Sequence, residues 1–298
     1  MDNTSLGLWG VPLAMLAGAI RVSTPFIFVS VGECLTERSG RINLGLEGTL
    51  VMGAMSAYGV ALVSGSPWLG VLVAAGVGLL LGALHAGICQ LPRVNDIATG
   101  IGLMLFGTGL AFFLGKPYIQ PKAPNLDAID LGWWSSIPQV RQALQVNYLF
   151  IVGIILAFAL AWALKNTRWG LIVRLAGESV DAALAMGASV GGAFAGVGGA
   201  FLSLYYPGSW NEGLSSGQGL MAVALVIFAR WEPVRCLWAS LLFGAAGAIS
   251  PALQSVGVTQ GYYLFSAAPY VLTLALMIAT CSPERSLRGA PGELGAVR

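Results

Sequence analysis

Five charged side chains, Glu33, Glu37, Arg38, Arg41 and Glu47, crowd into the stretch GECLTERSGRINLGLEGTLVMGA (32–54) of a chain in which only 9% of residues are charged. Apolar sequence flanks the stretch on both sides. Carboxylates and guanidinium groups in such surroundings persist where they pair, face an interior, or sit at an interface. Glu37 and Arg41 are spaced i, i+4, which would pair them on a helix, although Gly40 interrupts it. The spacing predicts a broken helix, its charges paired toward one end, with Gly40, Gly45 and Gly48 allowing the turn. Exposed backbone at such a break is tolerable only beside a cavity. Asn43 and Glu47 are therefore candidates to line a solute path; the competing reading is a structural knot of ion pairs.

No other cluster offers bond chemistry. His85 stands alone in an apolar run and reads as a satisfied histidine inside a bundle. Cys34, Cys89, Cys236 and Cys281 are scattered without CxxC spacing, so no metal site is expected. In VNDIATG (94–100), Asn95 and Asp96 open an apolar segment, where helix capping is the first explanation; Asn95 is also a candidate for the path. Arg21 reads as a side chain snorkelling to a headgroup. GGAFAGVGG (191–199) lacks the lysine of a phosphate loop, and its small residues at i, i+4 suit close helix packing. No cofactor is expected, and no catalytic residue.

The elements that position these residues follow from composition. The chain has 298 residues, 56% of them hydrophobic, with 41 glycines and a mean hydropathy of +0.78. Soluble proteins carry about 25% charged residues, and runs such as Trp68–Cys89 approach the roughly 20 residues that span a bilayer. The fold class is an all-α polytopic membrane protein. A β-barrel would alternate polar and apolar residues, and this chain does not. No basic or aromatic-basic stretch suggests nucleic acid. Asp2 stands where a signal peptide would be basic, so no cleavable leader is expected.

Nine apolar segments are expected, near 12–34, 44–64, 68–91, 97–115, 147–164, 190–206, 218–230, 235–256 and 262–281. Arg21 and Pro25 interrupt the first, which would leave 7–20 as a separate interfacial helix. The sixth and seventh are short, which suggests tilted or half-spanning helices. Arg38, Arg41, Arg93, Lys165, Arg168, Arg174, Arg230, Arg235, Arg285, Arg288 and Arg298 fall on one side. Lys116, Lys122 and Arg141 fall on the other. Basic residues accumulate in the cytosol, which puts the N-terminus outside and the C-terminus inside. Residues 1–282 form one transmembrane domain, with 116–146 extracytoplasmic, 165–190 cytosolic and 283–298 a short cytosolic tail. Prolines and Trp133–Trp134 give the outer loop the character of a lid or interfacial element.

NLGLEGTLVMGA (43–54) is echoed by NEGLSSGQGLMAVA (211–224), each running from an asparagine through Gly-Leu into an apolar helix. The two enter the membrane from opposite sides, as inverted repeats do when interrupted helices meet near a midplane path. Ser216 and Gln218 thereby join the path candidates. In NTRWGLIVRLAGESVDAALAMGASV (166–190), Glu178–Ala188 reads as a short helix with acids in its first turn, ended by Gly187. It is placed either to dock on a cytosolic partner or to serve as a connecting loop.

ERSGRINLGLEG, TRWGLIVRLAGESVDAALAMGAS and GQGLMAVALVIFARWEPVRCLWASLLFG together resemble the permease subunits of bacterial ABC importers for nucleosides and simple sugars. These belong to the wider branched-chain amino acid and ribose permease group, and the resemblance covers roughly residues 15–280. It implies a type II importer-like fold with inverted repeats and interrupted helices. It also implies a coupling helix that sits in a groove of the ATPase, carried by Gly177, Glu178, Asp181, Ala182, Ala183 and Gly187. The implied partners are an ABC ATPase subunit, a second homologous permease, an extracytoplasmic substrate-binding lipoprotein, a small-molecule solute and membrane lipid. The implied setting is the bacterial cytoplasmic (inner) membrane.

Two departures stand out. Family members continue after the equivalent of Val190 for a further stretch that this chain lacks. Leu184 occupies the place of the usual basic residue in the coupling helix. The chain has no Walker A motif, so the resemblance assigns ATP hydrolysis to a separate subunit and makes this chain a transport component rather than an enzyme. The rival is an ion-coupled secondary transporter working without an ATPase, which would want polar clusters deep in the spans. Outside 32–54 those are scarce.

Overall fold

A computed structural model describes residues 10–179, 181–255 and 261–280. The expected tail at 283–298 lies outside the described residues, as do positions 7–9. The described chain is mostly helical. Its helices are α1 (Gly10–Arg38), α2 (Leu46–Ser64), α3 (Pro67–Cys89), α4 (Asp96–Gly115), α5 (Pro138–Ala143), α6 (Tyr148–Asn166), α7 (Arg168–Ser179), α8 (Asp181–Leu204), α9 (Gln218–Phe228), α10 (Pro233–Ser255), α11 (Tyr262–Ser266) and α12 (Ala268–Thr280). One small antiparallel pair, β1 (Ala128–Asp130) with β2 (Gln145–Asn147), braces the long loop between α4 and α6.

Among the described residues, seven helices are long and apolar enough to cross a membrane. They correspond to α1, α2, α3, α4 (with the turn that follows it), α6, α8 and α10. Seven of the nine expected apolar segments fall on these helices; those near 218–230 and 262–281 fall on α9 and on α11 with α12, and α9 and α12, with 11 and 13 residues, are shorter than a simple span. The expected break near residue 20 is absent: α1 runs unbroken through Arg21 and Pro25. A proline there removes one helical hydrogen bond. The hydroxyls of Ser23 and Thr24 both donate to the Ile20 carbonyl, and extensive packing of α1 against α10 holds the turn.

Local chemistry sets the helix ends. Ser66 accepts from Leu69 N–H with Pro67 at the first position of α3. Asn95 Oδ1 accepts from Ala98 N–H at the start of α4, and Asn147 Oδ1 from Leu149 N–H at the start of α6. Each supplies an acceptor to an otherwise orphaned backbone donor. Gly65 closes α2 in the left-handed conformation, φ 72°.

The core gathers α1, α2, α8 and α10, which bury half or more of their apolar windows, whereas α3, α4 and α6 bury a third or less. This is the division between bundle interior and outer surface. The glycine stripe of α8 is what lets the interior helices meet. Gly192 and Gly196 lie against Gly78, Gly82 and Ala74 of α3, and a Cβ on Gly53 of α2 would sit 2.7 Å from the Gly196 Cα. Such backbone contact is how helices associate where lipid competes for every apolar side chain.

Arg38, Arg41, Arg93, Lys165, Arg168, Arg230 and Arg235 lie at one end of the bundle, at or beside the ends of α1, α3, α6 and α9. The loop 116–147 lies at the other end, tied there by Tyr58 Oη to Pro121 O (2.8 Å), Leu126 N–H to Leu204 O (2.9 Å) and Trp210 Nε1–H to Gly115 O (2.9 Å).

Candidate functional site

Two breaks in the helical framework meet inside the bundle. After Arg38 the chain does not leave the protein. It turns at Gly40 (φ 96°) and folds back along α1, and Asn43 N–H donates to Glu33 Oε1 (2.8 Å). Asn43 Oδ1 then accepts Gly45 N–H (2.9 Å), closing the turn that launches α2. Gly48 faces the backbone of Met104, and a Cβ there would lie 2.7 Å from the Met104 carbonyl oxygen. Met104 is about 12 Å along α4 from Asp96 at roughly 1.5 Å rise per residue, so α2 begins well inside the bundle.

The second break descends from the opposite end. After Leu204 the chain runs inward and reaches Ser216 and Gly217, whose φ values of 48° and 83° swing it into α9. Gly217 offers no side chain to cap that helix. Glu47, from the first turn of α2, does so instead. Its Oε1 accepts from Ser215 Oγ (2.5 Å) and Gly217 N–H (3.0 Å), and its Oε2 from Gly219 N–H (2.6 Å). A carboxylate on orphaned donors at a helix N-terminus satisfies both the hydrogen bonding and the dipole. The fit allows no more atoms: a Cβ on Gly219 would lie 2.6 Å from the Glu47 Cα and backbone nitrogen.

The charges of 32–54 do not form the expected knot of ion pairs. Glu37 does not pair with Arg41; its Oε2 accepts the indole N–H of Trp231. Arg38 Nε donates to the Trp231 carbonyl (2.5 Å), and Arg41 pairs with Asp96 (2.8 Å). The break puts Arg41 beyond the end of α1, so the i, i+4 geometry that would have paired it with Glu37 does not exist. Trp231, in the turn between α9 and α10, is the residue that sequence reading missed. Its signal was an aromatic N–H donor just ahead of a proline-led helix.

The path candidates separate. Glu47, Ser216 and Gln218 are brought together at the start of α9. Ser216 is exposed and its hydroxyl donates to Gly213 O (2.9 Å); Gln218 is half-buried, its Oε1 enclosed without a partner. Asn43 is buried, with Oδ1 committed to its own turn. Asn95 is exposed at the start of α4, beside the Arg41–Asp96 pair and apart from Glu47. Two open grooves flank the bundle. One, of about 440 Å³, runs between Met55, Gly59, Leu114 and Tyr118; the other, of about 390 Å³, lies between Phe28, Trp68, Leu149 and Phe194. Neither is lined by Glu47 or Gln218.

The expected coupling segment straddles two helices. Gly177 and Glu178 fall in the last turn of α7, Asp181, Ala182 and Ala183 in the first turn of α8, and Val180 outside the described residues. Gly187 does not end a helix as expected. It lies buried inside α8, where a Cβ would meet the Ser39 Cβ at 2.6 Å. Packing against α1 outweighs the helix-breaking tendency of glycine there.

Comparison with known proteins agrees with this architecture. TsgC13 of Haloferax volcanii, whose name provisionally assigns it to a glucose ABC transporter as a permease protein, is 33% identical over 259 residues, covering 82% of this chain and 79% of its own. The nucleoside ABC transporter permease protein NupC of Lactococcus lactis is 30% identical, covering 88% of this chain and 90% of its own. The guanosine ABC transporter permease protein NupQ of Bacillus subtilis is 29% identical, with coverages of 85% and 87%. No solved structure matches the chain. The family model described as branched-chain amino acid transport system / permease component matches residues 15–281. A polytopic helical chain matched over nearly its whole length, with its longest helices suited to crossing a bilayer, belongs to that permease family.

Proposed function

We propose that this chain is the membrane-spanning permease subunit of an ATP-driven importer for nucleosides or related sugar-containing solutes, seated in a bacterial cytoplasmic membrane with its C-terminus in the cytosol. The observation that carries the reading is the Glu47 clasp. Two helices that start inside the bundle, approached by the chain from opposite ends, are joined by one carboxylate. An inverted pair of interrupted helices is the architecture expected around a midplane path. The echo between 43–54 and 211–224 marks the same two places in the sequence. Solute passes beside the start of α9, where Ser216 and Gln218 offer polar groups not committed to the clasp, and alternate access comes from moving the two breaks relative to one another. Segment 165–190 transmits force from an ABC ATPase, while a second homologous permease and an extracytoplasmic binding lipoprotein complete the assembly. The named substrates of NupC, NupQ and TsgC13 support a solute that contains a sugar ring.

Uptake measured in vesicles holding the chain with its ATPase, second permease and binding protein tests this. Radiolabelled nucleoside or glucose should accumulate only when ATP is hydrolysed. Accumulation driven by an ion gradient in vesicles that lack the ATPase would overturn the reading in favour of a secondary transporter.

A further inference from the structure

Glu33 and Glu37 sit one turn apart on α1, exposed by only 0% and 1%. Each carboxyl has one oxygen engaged: Glu33 Oε1 accepts Asn43 N–H, and Glu37 Oε2 accepts the Trp231 indole N–H. The other oxygens, Glu33 Oε2 and Glu37 Oε1, are buried without a partner, and their i, i+4 placement on α1 sets the two carboxyls side by side. Among the described residues no cation pairs with them. Arg38 is turned to the Trp231 carbonyl and Arg41 to Asp96. The other titratable neighbours are Cys34 on the same helix and Cys236 on α10, thiols that bring no positive charge. The Thr36 hydroxyl gives its proton to Gly32 O, and Gly187 and Gly191 of α8 lie against Ser39, Thr36 and Gly32.

Two buried carboxylates this close cannot both stay ionised. A single proton resolves the whole arrangement, because one O–H donated from either carboxyl to the free oxygen of the other partners both orphaned atoms in one charge-assisted bond. We infer that Glu33 and Glu37 form a proton-binding site, holding one proton shared between their two free carboxyl oxygens. The proton belongs to the pair rather than to either residue. A metal cation is a poorer occupant: hard cations want about six or more oxygens, and the Leu35, Thr36 and Glu37 carbonyls at the end of α1 already accept N–H groups of the turn that follows. Among the described residues no group of three His, Cys, Asp or Glu side chains could hold a metal ion.

The site is also a fastener. One carboxyl holds the turn 39–45 through Asn43, and the other holds the α9–α10 turn through Trp231. The proton stays while both turns are packed. Admitting water to this end of the bundle lets the pair ionise and releases it, so occupancy of the site reports whether this end is closed. None of this depends on which solute is carried or on what drives transport.

Infrared spectroscopy of the full chain in lipid bilayers at neutral pH tests the inference. Wild type should show the carbonyl stretch of a protonated carboxyl, moved by ¹³C-glutamate labelling and lost in the Glu33→Gln/Glu37→Gln double variant. If that variant does not accumulate, Glu33→Asp, which shortens one arm of the bond, should shift the same band. Absence of a label-sensitive band in wild type overturns the site, as does a band undiminished in the double variant or unshifted by Glu33→Asp. A band abolished by added sodium or calcium and restored by its removal would make this a cation site instead.

Discussion

The carboxylate of Glu47 caps a helix that begins 171 residues later in the chain, taking the N–H groups of Gly217 and Gly219 together with the Ser215 hydroxyl. The starts of α2 and α9 therefore behave as one unit. Glu47→Ala would leave these buried donors without an acceptor, at about 1–3 kcal/mol for each unsatisfied group. Lower membrane abundance and a lower melting temperature in detergent are expected, with Glu47→Gln intermediate because it keeps one acceptor. Wild-type melting with an altered solute profile would show instead that the carboxylate serves the solute directly.

Gly219→Ala tests the closeness of the same contact. The new methyl would lie 2.6 Å from the Glu47 backbone and 2.8 Å from its Oε2, and overpacking of this kind costs about 1–3 kcal/mol. Gly76→Ala is the matched control, since nothing lies within 4 Å of its Cβ position on α3. Replacing glycine by alanine within a helix gains about 0.5–1 kcal/mol. Opposite shifts in melting temperature are expected, and a rise for both would mean that helix propensity, not the clasp, governs the result.

Trp231 links both arms of the turn at the end of α1, donating its indole N–H to Glu37 and accepting Arg38 Nε–H on its carbonyl. Trp231→Phe keeps most of the buried ring and removes only the donor, for a loss of about 1–3 kcal/mol. Arg38→Ala is expected to act through the orphaned Trp231 carbonyl rather than through an unpaired carboxylate. Because both changes touch one residue, the double variant should be less unstable than the sum of the singles. Strict additivity in thermal unfolding would break the link.

The opposite placement of the two ends is open to labelling. In a background free of Cys34, Cys89, Cys236 and Cys281, Lys122→Cys in the exposed outer loop should react with an impermeant thiol reagent on intact cells. Leu171→Cys, exposed on α7, should react only after the membrane is opened. The reverse pattern would invert the proposed topology.

How much of this was legible in the sequence depends on the range over which each rule acts. The apolar segments could be read because hydrophobicity accumulates locally, and the echo of NLGLEG in NEGLSSGQG pointed to both breaks. The glycines of 191–199 announced close packing, and α8 uses them against α2 and α3. The i, i+4 rule failed for Glu37 because the helix ends at Arg38 and the true partner, Trp231, lies 194 residues away. Pro25 suggested a break that packing against α10 removes, and Gly187 suggested a stop that contact with Ser39 overrides. Asn95 and Glu47 looked alike as polar residues near helix starts. Only the depth of α2 within the bundle separates them.

The last prediction concerns coupling. Glu178 falls in the last turn of α7, where the helix dipole disfavours an acid. The local reason for an acid at the start of a short helix therefore no longer applies, and a residue that breaks a local rule without local gain is one to test for function. Glu178→Lys should if anything favour α7, by about 0.3–1 kcal/mol, so any loss of transport cannot be put down to melting that helix. If Glu178 offers its charge to a basic groove on the ATPase, charge reversal weakens association. The variant should reach the membrane in normal amount, co-purify with less ATPase and take up less solute, while solute binding to the separate extracytoplasmic protein stays unchanged. Co-purification and uptake measured in the same membranes decide the matter. Wild-type values for both, in this variant and in a replacement of 178–186 as a block, would reduce the segment to a connector.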